Sequence, residues 1–180
     1  MIMTTGHVFI ATSLDGFIAR DNGDIHWLLQ LDSKGEDHGY DEFMANIDVI
    51  IMGRGTYESI KHIQPWFYHR PVIVLSKTLA QETIPDELIG KVYFLDLSPK
   101  EIMNKLESEG HHRAYIDGGK VIQSFISDGL INDLIITRIP ILLGSGRPLF
   151  GEIPNDIHLR HIQTTTFASG FVQSHYEIQQ

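Results

Sequence analysis

Three apolar runs in this 180-residue chain each pass directly into a turn of glycine, hydroxyl and basic residues. Ile50-Ile51-Met52 leads into Gly53-Arg54-Gly55-Thr56, Val72-Ile73-Val74-Leu75 into Ser76-Lys77, and Tyr115-Ile116-Asp117 into Gly118-Gly119-Lys120. An open α/β sheet presents its ligand site beyond the carboxyl ends of its strands, where backbone N–H groups and helix N-termini converge. Three such turns side by side would clamp one phosphate-rich ligand, so a nucleotide cofactor is the expected occupant.

The rest of the chain supplies the elements such a sheet needs. His7-Val8-Phe9-Ile10-Ala11-Thr12-Ser13 reads as a buried strand, and Leu14 to Ala19 turns away from it. The stretch from Asp21 to Gly39 is too polar and interrupted for one long element and is expected to be a mobile loop. Tyr40, Phe43, Met44 and Ile47 share one helical face with acids at its start, which predicts a short helix before the strand from Asp48 to Met52. A helix over about Thr56 to His62 precedes a strand from Pro71 to Leu75, and Val92 to Leu95 reads as a further strand.

Ser98-Pro99-Lys100-Glu101 places an N-cap serine before proline at the first helical position and opens a helix to about Ser108. After the strand Ala114 to Asp117, a helix from Gly119 to Asp128 carries Val121, Ile122, Phe125 and Ile126 on one face and ends at Gly129. Leu134 to Pro140 is another strand; Ile157 to Thr166 and Phe171 to Ile178, parted by Ala168-Ser169-Gly170, read as an antiparallel hairpin. The sum is a single α/β domain over residues 1–180, with a mainly parallel sheet, helices on both faces and an antiparallel C-terminal edge. A chain of this length buries a sizeable core in one domain.

Composition narrows the function classes. The chain has no cysteine, which excludes disulfides and thiolate chemistry and fits a reducing compartment, so the cytoplasm is expected. The N-terminus has neither a basic stretch nor an apolar segment of the secretory type, and no run reaches membrane-spanning length; a soluble protein with no membrane partner is expected. A formal net charge of -9 argues against a nucleic-acid partner but leaves room for a small anionic cofactor held by local cations. The ten histidines are scattered without ligand spacing, so no metal site is expected.

In the first turn, glycine permits close backbone approach, Arg54 offers a planar fork to phosphate, and Thr56 can cap the following helix. Taken alone it is equally an ordinary strand-to-helix turn. Ser76 and Lys77 gain meaning beside Arg54, since basic groups at two neighbouring strand ends suit a ribose 2′-phosphate. Gly118 and Gly119 would let a pyrophosphate pass over free N–H groups, or would simply make a tight turn of positive φ. No Gly-x-Gly-x-x-Gly follows the first strand and no Walker-type run occurs, so phosphate binding must be distributed.

Four segments in order carry a resemblance: Ala11-Thr12-Ser13-Leu14-Asp15-Gly16-Phe17-Ile18-Ala19, Met52-Gly53-Arg54-Gly55-Thr56-Tyr57-Glu58, Ile116-Asp117-Gly118-Gly119, and Pro140-Ile141-Leu142-Leu143-Gly144-Ser145-Gly146-Arg147-Pro148-Leu149-Phe150. Over nearly the whole chain it resembles the dihydrofolate reductase superfamily, and within it the reductase domain of the bifunctional riboflavin-biosynthesis deaminase/reductase and its stand-alone relatives. That resemblance implies a dihydrofolate reductase-like three-layer fold, NADPH as cofactor, hydride transfer to a small heterocyclic substrate of pyrimidine or pterin type, and a homodimer. It places Ala11, Leu14, Asp15 and Gly16 at the nicotinamide, and Gly53, Arg54 and Thr56 at the phosphates. Ser76 and Lys77 would face the 2′-phosphate, with Gly118, Gly119, Lys120, Val121 and Ile122 along the pyrophosphate. The companion zinc deaminase has no counterpart here, since no His-x-Glu with Pro-Cys-x-x-Cys occurs.

Hydride transfer needs alignment rather than a protein nucleophile, but the proton needs a donor. Dihydrofolate reductases proper carry an acid on the first helix four residues before a phenylalanine; here that position before Phe43 is Gly39, and His26 precedes Trp27 where proline is usual. True dihydrofolate reduction is therefore a rival reading, as is a non-catalytic nucleotide-binding homodimer. The remaining proton or anchoring candidates are Asp15, Asp37, Tyr40 and Asp117, of which Asp117 matches the acidic position before the glycine pair in the riboflavin-type reductases. Trp27, Phe43 and Trp66 could wall a pocket for a flat ring but read equally well as core.

Overall fold

The computed structural model describes residues 3–31 and 34–179. Positions 1, 2 and 180 of the expected domain, and Asp32 and Ser33 of the expected loop, lie outside the described residues. In chain order the elements are β1 (Thr5–Ser13), β2 (Phe17–Ala19), α1 (His26–Leu29), α2 (Tyr40–Ala45), β3 (Val49–Gly53), α3 (Arg54–Ile60), β4 (Val72–Leu75) and β5 (Val92–Leu95). They continue with α4 (Pro99–Ser108), β6 (Arg113–Asp117), α5 (Gly119–Ser127), β7 (Ile131–Ile139), β8 (Arg147–Pro148), β9 (Leu159–Thr166) and β10 (Val172–Ile178).

An eight-stranded sheet runs in the order β5-β4-β3-β6-β1-β7-β10-β9. Every pairing from β5 to β7 is parallel, whereas β10 is antiparallel to both β7 and β9. The apolar runs explain the parallel half: Val49 and Ile51 face one core with Ile73 and Ile116, and Ile50 and Met52 face the other with Val72 and Val74. Ile102, Met103 and Leu106 of α4 and Ile122, Phe125 and Ile126 of α5 complete the first core. Phe43 of α2 and Tyr57 of α3 complete the second. The result is the expected three layers, since a strand buried on both faces must be sandwiched by helices.

Local signals account for several boundaries. Ser98 forms a reciprocal capping box with Glu101, and Pro99 begins α4. Gly129 has a φ of 69° just past α5. Two elements depart from the sequence expectation. The Asp21–Gly39 stretch contains α1, whose Trp27 is buried with Ile139 and Phe171 in a small third core. A second, two-stranded sheet pairs β2 with β8 and lies apart from the main one. Trp27 and Phe43 are therefore core residues, and Trp66 packs against the second core from the side.

Candidate active site

The ends of β4, β3 and β6 lie side by side. Gly53 is level with Leu75, and Met52 is level with Asp117. Hence the three turns expected to hold phosphate occupy one edge of the sheet on consecutive strands. Arg54 donates to the Thr78 hydroxyl at 3.2 Å, and Thr78 is 3.1 Å from Ser76 Oγ, so the β3 and β4 turns are physically joined. Lys77 stands exposed beside them.

The β3 and β6 turns are equally close. Gly118 has a φ of 92°, and a Cβ there would stand 2.6 Å from Thr56 Oγ1, so only glycine fits. Val121 Cγ2 presses against Gly53, within 3.0 Å of where a Cβ would be. The helical ladder of α5 begins with the Ile122 N–H bonded to the Gly118 carbonyl, leaving the preceding N–H groups at the helix start. Ile122 is fully buried with its N–H engaged, so it has no free backbone donor to offer. Lys120 is exposed at the same end.

Strand β1 pairs with β6 only as far as His7 beside Tyr115, then follows β7 to Ser13 beside Ile139. Its last residues thus leave β6, carrying Ala11, Leu14, Asp15 and Gly16 past the β6 turn, with Leu14 59 % exposed. Asp15 is held by three donors: Ser13 Oγ at 2.6 Å, Leu143 N at 3.1 Å and Gly144 N at 2.8 Å. The Ser13 hydrogen bond, with the two backbone donors, keeps its carboxyl below the usual range despite some loss of hydration. A carboxylate held this way stays ionised and has no proton to deliver; it ties the β1 turn to the 143–144 segment.

Asp117 has the opposite environment. Burial pushes its carboxyl up to about 6, against the single N–H of Gly118 that it accepts at 2.9 Å. Its charge acts on three phenols. Burial, reinforced by Asp117, pushes Tyr40 up to about 12, and Tyr40 hydrogen-bonds Tyr68. Tyr68 and Tyr115 are raised further for the same reasons, burial first. Tyr115 donates to the Phe9 carbonyl at 2.9 Å, while the Phe9 ring meets Tyr40 edge-on at 5.6 Å. Asp37 serves locally, accepting the Gly39 N–H at the entry to α2.

The remaining side of the site is the β2–β8 pair. Leu149 N donates to the Gly16 carbonyl at 3.0 Å, and Pro148 O and Ile18 lie 3.0 Å from where a Cβ of Gly119 would be. Gly146, with a φ of 153°, lets β8 pass Ala19 at a distance no side chain would allow. Arg147 thereby arrives at the α3 start, its Nη1 3.7 Å from a Cβ position at Gly55. Two cavities lie elsewhere: one of about 210 Å³ between α5 and the C-terminal strands, one of about 390 Å³ over β7 and β10 near Arg113, Asp133 and His175. Neither includes a residue of the strand-end turns. Among the described residues no group of three His, Asp or Glu side chains could hold a metal ion.

With this geometry in place, comparison with known proteins is decisive for family. Residues 4–173 match the RibD C-terminal domain. The chain belongs to that family. It is 36% identical over 170 residues to the Bacillus subtilis protein named "Uncharacterized protein YwjB", covering 94% of this chain and 95% of the relative. A crystal structure named "Putative riboflavin biosynthesis protein", from Shewanella sp. PV-4, superposes with a TM-score of 0.90 at 35% identity, covering 98% of this chain and all of that one. The diaminohydroxyphosphoribosylaminopyrimidine deaminase/5-amino-6-(5-phosphoribosylamino)uracil reductase of Thermotoga maritima shares the fold, with a TM-score of 0.74 at 14% identity over 98% of this chain and 57% of that one. The fold is therefore that of the RibD reductase-like proteins, within the dihydrofolate reductase-like superfamily.

Tyr68, Thr78, Tyr115 and Arg147 were not among the expected site residues. Tyr68 follows a proline-containing loop with no local signal. Arg147 had one: a lone cation between Gly146 and Pro148, at the end of a glycine-rich run.

Proposed function

We propose that this protein is an NADPH-dependent reductase that transfers hydride to a small heterocyclic substrate of the riboflavin-pathway pyrimidine or pterin type. One observation carries the reading: four chain segments ending β4, β3, β6 and β1 line one rim in that spatial order. A phosphorylated dinucleotide has the matching sequence of parts, from 2′-phosphate through pyrophosphate to nicotinamide.

The residues fit such a ligand. Ser76, Lys77 and Arg54 offer donors and positive charge for the 2′-phosphate at the outer end. Gly53, Thr56, Gly118, Gly119, Lys120 and Val121 present backbone, hydroxyl and ammonium groups in the middle, where a Cβ at Gly118 would fill the turn. Ala11, Leu14, Asp15 and Gly16 form the inner end. NADPH, when bound, supplies the hydride; the protein supplies alignment and a proton.

Asp117 is the group suited to hold that proton, because an acid with a pKa of about 6 is still partly protonated near neutrality and gives its proton up readily. Tyr40 and Tyr68 remain protonated and act as hydrogen-bond donors beside it. Gly39, with a φ of 79° at the entry to α2, has no side chain at the position where folate reductases keep their acid, which favours the heterocyclic reductase over true dihydrofolate reduction. A homodimer and a cytoplasmic setting complete the proposal; among the described residues no helix is long and apolar enough to cross a membrane.

The test is titration with NADPH and NADH followed by cofactor oxidation with dihydrofolate and with the ribosylamino-pyrimidine intermediate. Tight NADPH binding with turnover of the pyrimidine supports the proposal; no saturable binding of either dinucleotide ends it. Arg54→Ala should weaken NADPH about tenfold or more while leaving NADH nearly unchanged, and equal weakening would refute its place at the 2′-phosphate.

A further inference from the structure

Arg147 enters the rim from outside the main sheet, and its surroundings are those of a cation held ready for an anion. The β2–β8 pairing sets its backbone opposite Ala19. Its Nε donates to the Asp21 carbonyl at 3.3 Å, and its guanidinium lies over the Gly23 backbone, with Cζ, Nη1 and Nη2 each 3.2 Å from a Cβ position there. A side chain at position 23 would press on that plane, and a φ of 87° there favours glycine as well. Ser145 Oγ, bonded to Asp21 at 3.1 Å, anchors the same turn.

This arrangement uses the inner nitrogen as a tether and leaves the outer fork uncommitted. Among the described residues Arg147 forms no ion pair, whereas Arg54 is engaged by Glu58 at 3.7 Å and by Thr78. Among the described residues no carboxylate lies within ion-pair distance of this exposed arginine, which is fixed where two glycine-containing turns meet. The fork faces Gly55 at the start of α3, while the next residue, Pro148, touches Gly119 at the start of α5. A group bound between those two turns would meet the guanidinium directly, and a planar fork matches the paired oxygens of a phosphate.

We propose that Arg147 is a pyrophosphate-binding cation of this site, acting beside Lys120 and separate in function from the 2′-phosphate pair Arg54 and Lys77. The inference rests on the dinucleotide reading above and divides its charge recognition between two positions. Arg147 holds what NADPH and NADH share; Arg54 and Lys77 hold what distinguishes them.

Binding measured by calorimetry separates the two, using ADP as a probe with the pyrophosphate alone and 2′-AMP as a probe with the 2′-phosphate alone. Arg147→Ala should weaken ADP, NADH and NADPH by a similar factor, about tenfold or more, and leave 2′-AMP unchanged; Arg54→Ala should do the reverse with 2′-AMP. Arg147→Lys keeps the charge without the fork and should fall between wild type and alanine, which guards against an unfolded alanine variant. Wild-type affinity for ADP and NADH in Arg147→Ala overturns this assignment alone, as does a loss confined to 2′-AMP and NADPH. Failure of the wild-type protein to bind any of the four probes would overturn the dinucleotide reading and this assignment with it.

Discussion

The turns after β1 and β6 each carry an aspartate at the rim of the same sheet, and the protein treats the two in opposite ways. Asp15 receives three hydrogen bonds, led by the Ser13 hydroxyl, and stays ionised. Asp117 receives one, is shielded from water, and holds its proton to about pH 6. The difference arises from the number of donors and the access of water, not from the residue type. It suits the first aspartate to holding the rim together and, in the proposed reductase, the second to proton transfer.

The largest effect should come from removing the proton. Asp117→Asn should slow turnover of the reducible substrate by about 10²-fold or more, with nucleotide affinity nearly unchanged. In the wild type, kcat should fall as pH rises through about 6, where Asp117 loses its proton, and the Asn variant should lose that dependence. A pH profile identical in both proteins would remove Asp117 from the proton path.

The same substitution makes a second, thermodynamic prediction. A carboxyl raised from 3.8 to about 6 favours the folded protein when protonated; that benefit is complete below pH 3.8 and is lost as pH rises through 6. At pH 8 the ionised group is buried at a cost on the order of 2–3 kcal/mol. Asp117→Asn should therefore unfold at higher denaturant than wild type at pH 8, with the difference closing below about pH 4. A stability gap that is independent of pH would contradict the burial argument.

Asp15 should give the smallest response and the opposite sign. Its lowered carboxyl supports the fold above its unfolded value and loses that support only as pH falls through the folded one. Asp15→Ala should speed amide exchange at Leu143 and Gly144, the two backbone donors it releases, and leave the pH profile of turnover in place. A shift in that profile would mean that the two aspartates are not divided as the geometry divides them.

The contrast also shows which parts of the molecule could be read in advance. The parallel half was legible because strands such as Ile50–Met52 and Val72–Leu75 are buried on both faces and must be continuously apolar. The helix α4 was legible because Ser98, Pro99 and Glu101 form a local start signal. The turns after β3, β4 and β6 were legible as turns, and their convergence followed from strand adjacency. By contrast, α1 has four residues and no side-chain cap, so only the burial of Trp27 against distant Phe171 and Ile139 justifies it. Likewise the raised pKa of Asp117 comes from burial, which no local sequence signal marks, and Arg147 reaches Gly55 only because residues 16–19 and 147–149 cross there.

That crossing has a consequence for how such proteins diversify. The β2–β8 ribbon shares no ladder with the eight-stranded sheet, yet it borders both the inner and the middle parts of the rim. Lengthening it would reshape the border of the rim without entering any ladder of the eight-stranded sheet.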